Sequence, residues 1–377
     1  MNFAFSEEQE ELRASARAFL ADHSGSEAVR AAMESEAGHD PGLWKRMADE
    51  LGWPALTVPE AAGGIGLGPV ELCALMEVMG EFLLCSPFFA SVCLAGQAVV
   101  EAGSPEQQQR WLGPLAEGGA RGALATSEPD LAWDAVAATA TRQGDAYRID
   151  GVKRYVIDGH CADWVAVSAR APGSSGEAGI SLFALPADSA GLTRTPLPGM
   201  DQTRRQAELR FMGVVVPASD RLGEEGAGAG ALRRTLDRAA IALAAEQVGG
   251  AQRCLDDSVA YAKEREQFGR PIGSFQAIKH KCADMMVKVE TARSAAYHAA
   301  CAAAEMPDVL ARAASLAKAY CSEAFYHCAG ESIQIHGGVG FTWEYDAHLY
   351  FKRARAGEAL LGTPDWHRER VAREIGL

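Results

Sequence analysis

The stretch REQFGRPIGSFQAIKHKCADM, Arg265 to Met285, decides how the chain is read. It is a short polar turn set between two long Ala-rich helical patterns. ALRRTLDRAAIALAAEQVGGAQRCLDDSVAYAKERE (231–266) precedes it, and GSFQAIKHKCADMMVKVETARSAAYHAACAAAE (273–305) overlaps its end. A third pattern, DVLARAASLAKAYCSEAFYHCAGESIQIHGG (308–338), and a fourth, AHLYFKRARAGEALLG (347–362), complete a helical bundle. Within the turn, Arg265 offers a planar fork suited to a pyrophosphate. Phe268 offers a ring face that can cover an aromatic system. A second stretch, IQIHGGVGFTWEYDAHLYFKRA (Ile333 to Ala354), brings Gly337 and Gly338, which allow backbone N–H groups to approach phosphates closely. The same glycines also read as a helix end with a left-handed turn, and a lone Gly-Gly pair does not decide between the two.

Outward from this region the pattern changes twice. Residues 6–118 read as mostly helical. Ser6 is placed as an N-cap, with Glu7 and Glu8 in the first turn facing the helix dipole. Near residue 120 the language becomes strand and turn: GALATSEP, AVAATATRQGDAYRIDGVKRYVIDG, ADWVAVSAR and AGISLFALPAD are short apolar or alternating runs broken by Gly, Asp and Pro. RQGDAYRIDG reads as two hairpin turns in succession. The β region runs to about AELRFMGVVVPASDRLG, ending at Gly223, and helix resumes from about residue 227. The expected class is α+β: an N-terminal α-helical domain (1–118), a central β domain (119–224) and a C-terminal four-helix bundle domain (225–377).

Composition narrows the function. A chain of 377 residues has room for two or three packed domains. The formal net charge of -14, with no long basic run, argues against a nucleic-acid surface. The nine cysteines are scattered without CxxC or Cys/His ligand spacing, so they read as reduced core residues, and no metal site is expected. The N-terminus carries acidic residues at once and has no apolar signal core. No apolar run reaches the roughly 20 residues of a membrane span. A cytoplasmic location is expected.

The two quoted stretches, the helix–β–helix order, DGVKRYVIDGHCADWVAVSAR and the terminal VAREIGL together resemble the acyl-CoA dehydrogenase family over nearly the whole chain. The resemblance implies α,β-dehydrogenation of an acyl-CoA thioester, with FAD as cofactor and an electron-transfer flavoprotein as acceptor. In that family one FAD lies between two subunits, one holding the flavin ring and the other the ADP half. By match, the ADP-side set is Arg265, Gln267, Phe268, Gln276, Gln334, Gly337 and Gly338. The ring-side set departs from the family pattern. TSEPDLAWDAV carries Ser127 in place of a threonine and Trp133 in place of a small serine. YVIDG carries Tyr155 for a tryptophan and Ile157 for a threonine that hydrogen-bonds the flavin, which isoleucine cannot do. Thr363, in the Gly-Thr pair of the C-terminal loop, is a weaker member of the cofactor set.

The family's glutamate base removes the α proton of a thioester whose carbonyl is polarised by hydrogen bonds. It has two homes: just before the Gly-Thr pair, here Leu361, and on the first helix of the C-terminal domain, here Ala239. Neither residue can take a proton. Among neighbours, Asp237 lies roughly 200° around the helix from Ala239, and Glu246 is displaced by roughly 10 Å. Glu358, one turn before Leu361, shares its face if that segment is helical. The expected function is therefore the base-lacking subunit of an α2β2 enzyme, lending ADP-side contacts to a homologous catalytic subunit, as in bacterial members acting on steroid-side-chain or other bulky CoA thioesters. One alternative is a self-sufficient homotetramer with a relocated base, Glu358. A second keeps FAD for an oxidase reaction or a carrier-bound acyl group, and a third is a non-catalytic scaffold. A stoichiometric partner favours the first reading, and a yellow protein active alone favours the homotetramer. A colourless homo-oligomer that binds no CoA ester favours the scaffold.

Overall fold

The computed structural model describes residues 6–129 and 135–377. Trp133 lies outside the described residues. The N-terminal helices are α1 (Glu7–His23), α2 (Ser26–Glu34), α3 (Pro41–Asp49), α4 (Pro69–Glu81), α5 (Gln97–Ala102) and α6 (Pro105–Ala116). Ser6 caps α1 as the sequence predicts. Its Oγ accepts from Gln9 N at 3.3 Å while the Gln9 side chain accepts from Ser6 N at 2.9 Å, a reciprocal capping box. Ser104 and Gln107 repeat the arrangement at α6. The β region holds β1 (Gly122–Ala125), β2 (Thr139–Gln143), β3 (Ala146–Ile157), β4 (Trp164–Arg170), β5 (Ile180–Pro186), β6 (Leu192–Leu197), β7 (Gln206–Pro217) and β8 (Arg221–Leu222). The C-terminal helices are α7 (Ala229–Glu264), α8 (Gln276–Glu305), α9 (Leu310–His336), α10 (Ala347–Ala359) and α11 (Pro364–Glu374), with β9 (Glu266–Gln267) and β10 (Arg270–Pro271) between α7 and α8.

These elements pack as two compact units. One gathers α1, α4, most of α7 and α8 through α11. Within it α9 packs on α8, α10 and α11, and α4 packs on α1 and α8. Buried alanines line these helices, among them Ala244, Ala251, Ala314, Ala317 and Ala329. Small side chains let the backbones close in. The extreme case is the crossing of α4 and α7. A Cβ on Gly249 would stand 1.7 Å from Glu77 O, and one on Gly80 would stand 1.9 Å from Glu246 O.

The other unit gathers α3, the segment 85–118 and strands β1 to β8. Its sheet runs in the order β6-β7-β3-β2-β4-β5-β8, with β1 added parallel to β4. The core on the sheet is Tyr147, Ile149, Val165, Val167, Phe183, Leu209, Phe211 and Val214 with their neighbours. RQGDAYRIDG makes one hairpin rather than two. Gly144 and Asp145 turn β2 into β3, but Asp150-Gly151 continues the strand. There the ladder skips a residue of β7, since Ile149 pairs with Val214 and Asp150 with Met212, leaving Gly213 as a bulge. The Asp150 carboxylate accepts the bulged Gly213 N–H at 2.8 Å, so the residue that signals a turn instead satisfies an irregular strand.

All nine cysteines are free thiols. Among the described residues no helix is long and apolar enough to cross a membrane.

Candidate functional site

The expected ADP-side residues fall on three neighbouring elements of the helical unit. Arg265 follows the last residue of α7. The chain then makes a two-strand hairpin, with Arg270 opposite Gln267 and Pro271 opposite Glu266. Phe268 (φ 55°) and Gly269 (φ 76°) form its turn, two successive left-handed residues, as a tight primed turn requires. Arg265 O accepts from Ile272 N at 2.8 Å, which ties the hairpin back to its root. Phe268 is 92% exposed, supported from one side by a T-shaped contact to Phe275 at 6.1 Å. Gln276 opens α8, and Gln334 lies in the last turn of α9. Tyr261 near the end of α7 stacks on His336 at the end of α9, centroids 4.4 Å apart, and this brings the hairpin and the glycine pair to one end of the bundle. Gly337 adopts φ 64°, ψ −138°, a conformation essentially restricted to glycine. A Cβ at Gly337 or at Gly338 would meet no atom within 4 Å, so the ground above them is open. All seven residues are exposed. An uncovered guanidinium, an uncovered ring and open backbone at two glycines fit the ADP half of a dinucleotide.

The ring-side residues lie in the β unit and behave differently. Ser127 is half-buried, and its carbonyl accepts from Arg154 N at 2.8 Å. The β3–β7 ladder then slips again: Lys153 pairs with Leu209 and Val156 with Ala207, so Arg154 and Tyr155 together face a single residue. Tyr155 sits on this bulge at φ 60°, 52% exposed, with its ring beneath the Arg154 guanidinium at 5.5 Å. Ile157 rejoins the ladder opposite Gln206 and is buried. An apolar, buried side chain at that position offers no hydrogen bond to a flavin. The fit to the ring half is therefore poorer than the fit to the ADP half.

Sequence reading missed a buried ion pair beside this strand. Lys153 Nζ donates to Glu128 Oε1 at 2.5 Å, to Thr126 O at 3.1 Å and to Ser168 Oγ at 3.2 Å. Burial pulls the Lys153 pKa down to about 8 against the opposing pull of Glu128, and the ammonium stays charged at neutral pH. Nearby, ligand atoms of Asp158, His160 and Cys161 lie within 4.8 Å of one another. Burial pushes the Cys161 thiol up to about 12, and Arg205, Arg194 and Arg121 place positive charge around His160. That field disfavours a cation.

The base positions are both apolar and buried. Ala239 is fully enclosed on α7. Leu361 is buried and left-handed, at φ 59°. Asp237 is buried too. Glu246 is buried and accepts from Arg353 Nη1 at 2.8 Å, so it is committed to an ion pair. Glu358 belongs to α10, which ends at Ala359, so no helix carries its face on to Leu361. Its carboxylate accepts from Arg355. Thr363 caps α11, its Oγ1 accepting from Trp366 N at 3.3 Å.

Profiles of the acyl-CoA dehydrogenase N-terminal, middle and C-terminal domains match residues 6–119, 123–214 and 226–376. The chain is 36% identical over 376 residues to acyl-CoA dehydrogenase IpdE2 of Mycolicibacterium smegmatis, with 98% of this chain and 99% of that one covered. Among solved structures, the ChsE4-ChsE5 complex from Mycobacterium tuberculosis superimposes with a TM-score of 0.90 at 29% identity, covering 100% of this chain and 99% of that one. The Tcur3481-Tcur3483 steroid ACAD gives a TM-score of 0.89 at 33% identity over 98% of each chain. The chain belongs to the acyl-CoA dehydrogenase family of flavoprotein oxidoreductases.

Proposed function

We propose that this chain is the base-lacking subunit of a heteromeric, FAD-dependent acyl-CoA dehydrogenase, built from domains 1–118, 119–224 and 225–377. One observation carries the reading: the ADP-side residues are displayed to solvent, while both base positions, Leu361 and Ala239, are buried and apolar. The exposed set suits a cofactor seated largely in another chain. In this reading Arg265, with its exposed guanidinium, pairs with the pyrophosphate, and Phe268 covers the adenine side. Gln267, Gln276 and Gln334 supply amide hydrogen bonds, and the open backbone at Gly337 and Gly338 admits close approach. When bound, FAD supplies the hydride-accepting chemistry of the dehydrogenation. The α proton is taken by a carboxylate of the partner.

The similarity to ChsE4-ChsE5 and to a steroid ACAD supports a heteromer acting on a bulky, steroid-derived acyl-CoA thioester; an electron-transfer flavoprotein is the acceptor in this reading. The test begins with this chain purified alone, reading flavin absorbance together with oligomeric mass. Little flavin is expected, and co-expression with its catalytic partner should restore a yellow complex. In that complex Arg265→Ala should abolish FAD retention. Near-stoichiometric FAD in a homotetramer of this chain alone would sink the proposal, and full flavin in the Arg265→Ala complex would sink the assigned ADP site.

A further inference from the structure

Lys318 lies in the middle of α9 with its side chain wholly buried. Its ammonium has three protons, and three neutral oxygens receive them. Ser322 Oγ is at 2.9 Å, Glu358 O at 3.3 Å and Gly362 O at 3.2 Å. Enclosing an ammonium costs several kcal/mol even after relaxation, so its placement against two loop carbonyls needs a reason. The loop provides one. The two carbonyls stand on either side of Leu361, whose left-handed backbone is strained for an L-residue. Such a conformation persists only where the surroundings over-determine it. From the far side His367 Nε2 pairs with Leu361 O at 3.1 Å. Ser322 Oγ in turn donates to Gln247 Oε1 at 3.2 Å, so a hydrogen-bonded chain links the loop to α7.

We propose that Lys318 is a positioning residue that fixes the loop from Glu358 to Thr363, left-handed Leu361 included, and that opening of this loop takes up a proton on Lys318. Burial holds the Lys318 pKa down at about 7, against the pull of the Glu358 carboxylate. Opening the loop to water returns it toward the ordinary lysine value of about 10.4. Between those values the open state binds more protons, so raising the pH favours the closed loop. Above pH 7 the neighbours do not mimic this effect; His367 has the same sign but is spent once the pH passes the ordinary histidine value of about 6.5. On α11, His367 is held neutral by burial and by Lys318 itself, down to about 3. On α9, the Cys321 thiol is pushed up to about 12 by burial. The α7 contact of the network, Gln247, carries no charge. Glu358, on α10, is an acid with its carboxylate on Arg355. The inference needs neither a cofactor nor a partner chain and stands apart from the subunit assignment.

Hydrogen–deuterium exchange of the purified full chain between pH 6 and 9, corrected for intrinsic exchange, tests it. Protection of the amides of residues 360–363, 365 and 366 should rise above pH 7, by up to about tenfold per pH unit, with no parallel rise in the β sheet. In Lys318→Met the rise should vanish. A flat wild-type profile, or the same rise in Lys318→Met, overturns the proposal. The wild-type scan decides by itself if that variant does not fold. Ser322→Ala, which removes one acceptor from the ammonium, should move the onset of the rise to lower pH; an unmoved onset counts against the assignment.

Discussion

Glu128 holds more of the β unit in place than its position in a loop implies. One oxygen takes the Lys153 ammonium and also the N–H groups of Ala137 and Ala138, both at 2.9 Å. The carboxylate thereby ties Ala137 and Ala138 to Lys153 of β3. Glu128→Gln would leave Lys153 buried beside a weaker acceptor. Breaking such a pair from one side costs about 3–5 kcal/mol, so denaturant unfolding should show a loss of that order. A loss below about 1 kcal/mol would mean that the enclosure opens to water. None of this was legible beforehand. Charged residues on an alternating strand read as outward-facing, and the partner of Lys153 lies 25 positions away in a stretch without period. The same blindness applies to Glu246, where nothing local announces Arg353. Identities, by contrast, were plain: Leu361 and Ala239 cannot act as bases in any fold.

At the scale of elements, the sequence predicted the helices well because their signals are local. Ala-rich 3.6-residue periodicity marks α7 through α10, and Ser6 opens a capping box. Strand irregularities were not predicted, because Asp-Gly signals a turn and only the opposing strand, through Gly213, makes it a bulge. Close helix crossings were equally hidden. The glycines of QVGGAQ look like blemishes in α7, yet Gly249 is where α4 touches it. Gly249→Ala drives a methyl group into the Glu77 carbonyl, and the helix cannot yield without moving its neighbour. Overpacking of this kind costs about 1–3 kcal/mol. Thermal unfolding should register it despite alanine's better helix propensity. A neutral or stabilised variant would show that the crossing is slack.

For the whole molecule, the helix–β–helix order was legible from the two changes of pattern near residues 120 and 227. The regrouping of α1 and α4 with the C-terminal helices was not, since contacts across more than a hundred residues leave no period in sequence. In the proposed heteromer, function at this scale belongs to the assembly rather than to this chain alone. In the active complex, Glu358→Gln on this chain should leave turnover within a few-fold of wild type, whereas loss of a true base costs on the order of 10²–10⁴. A collapse of turnover would return Glu358 to the chemistry. The exposed knob of Phe268, together with uncovered Phe341 and Trp343, has a further consequence. A chain made in excess of whatever covers these rings shows the cell an oily, adhesive surface of the kind that chaperones and proteases seize. In the proposed heteromer its abundance then follows the supply of the partner rather than its own synthesis, and the two are expected to be produced in step.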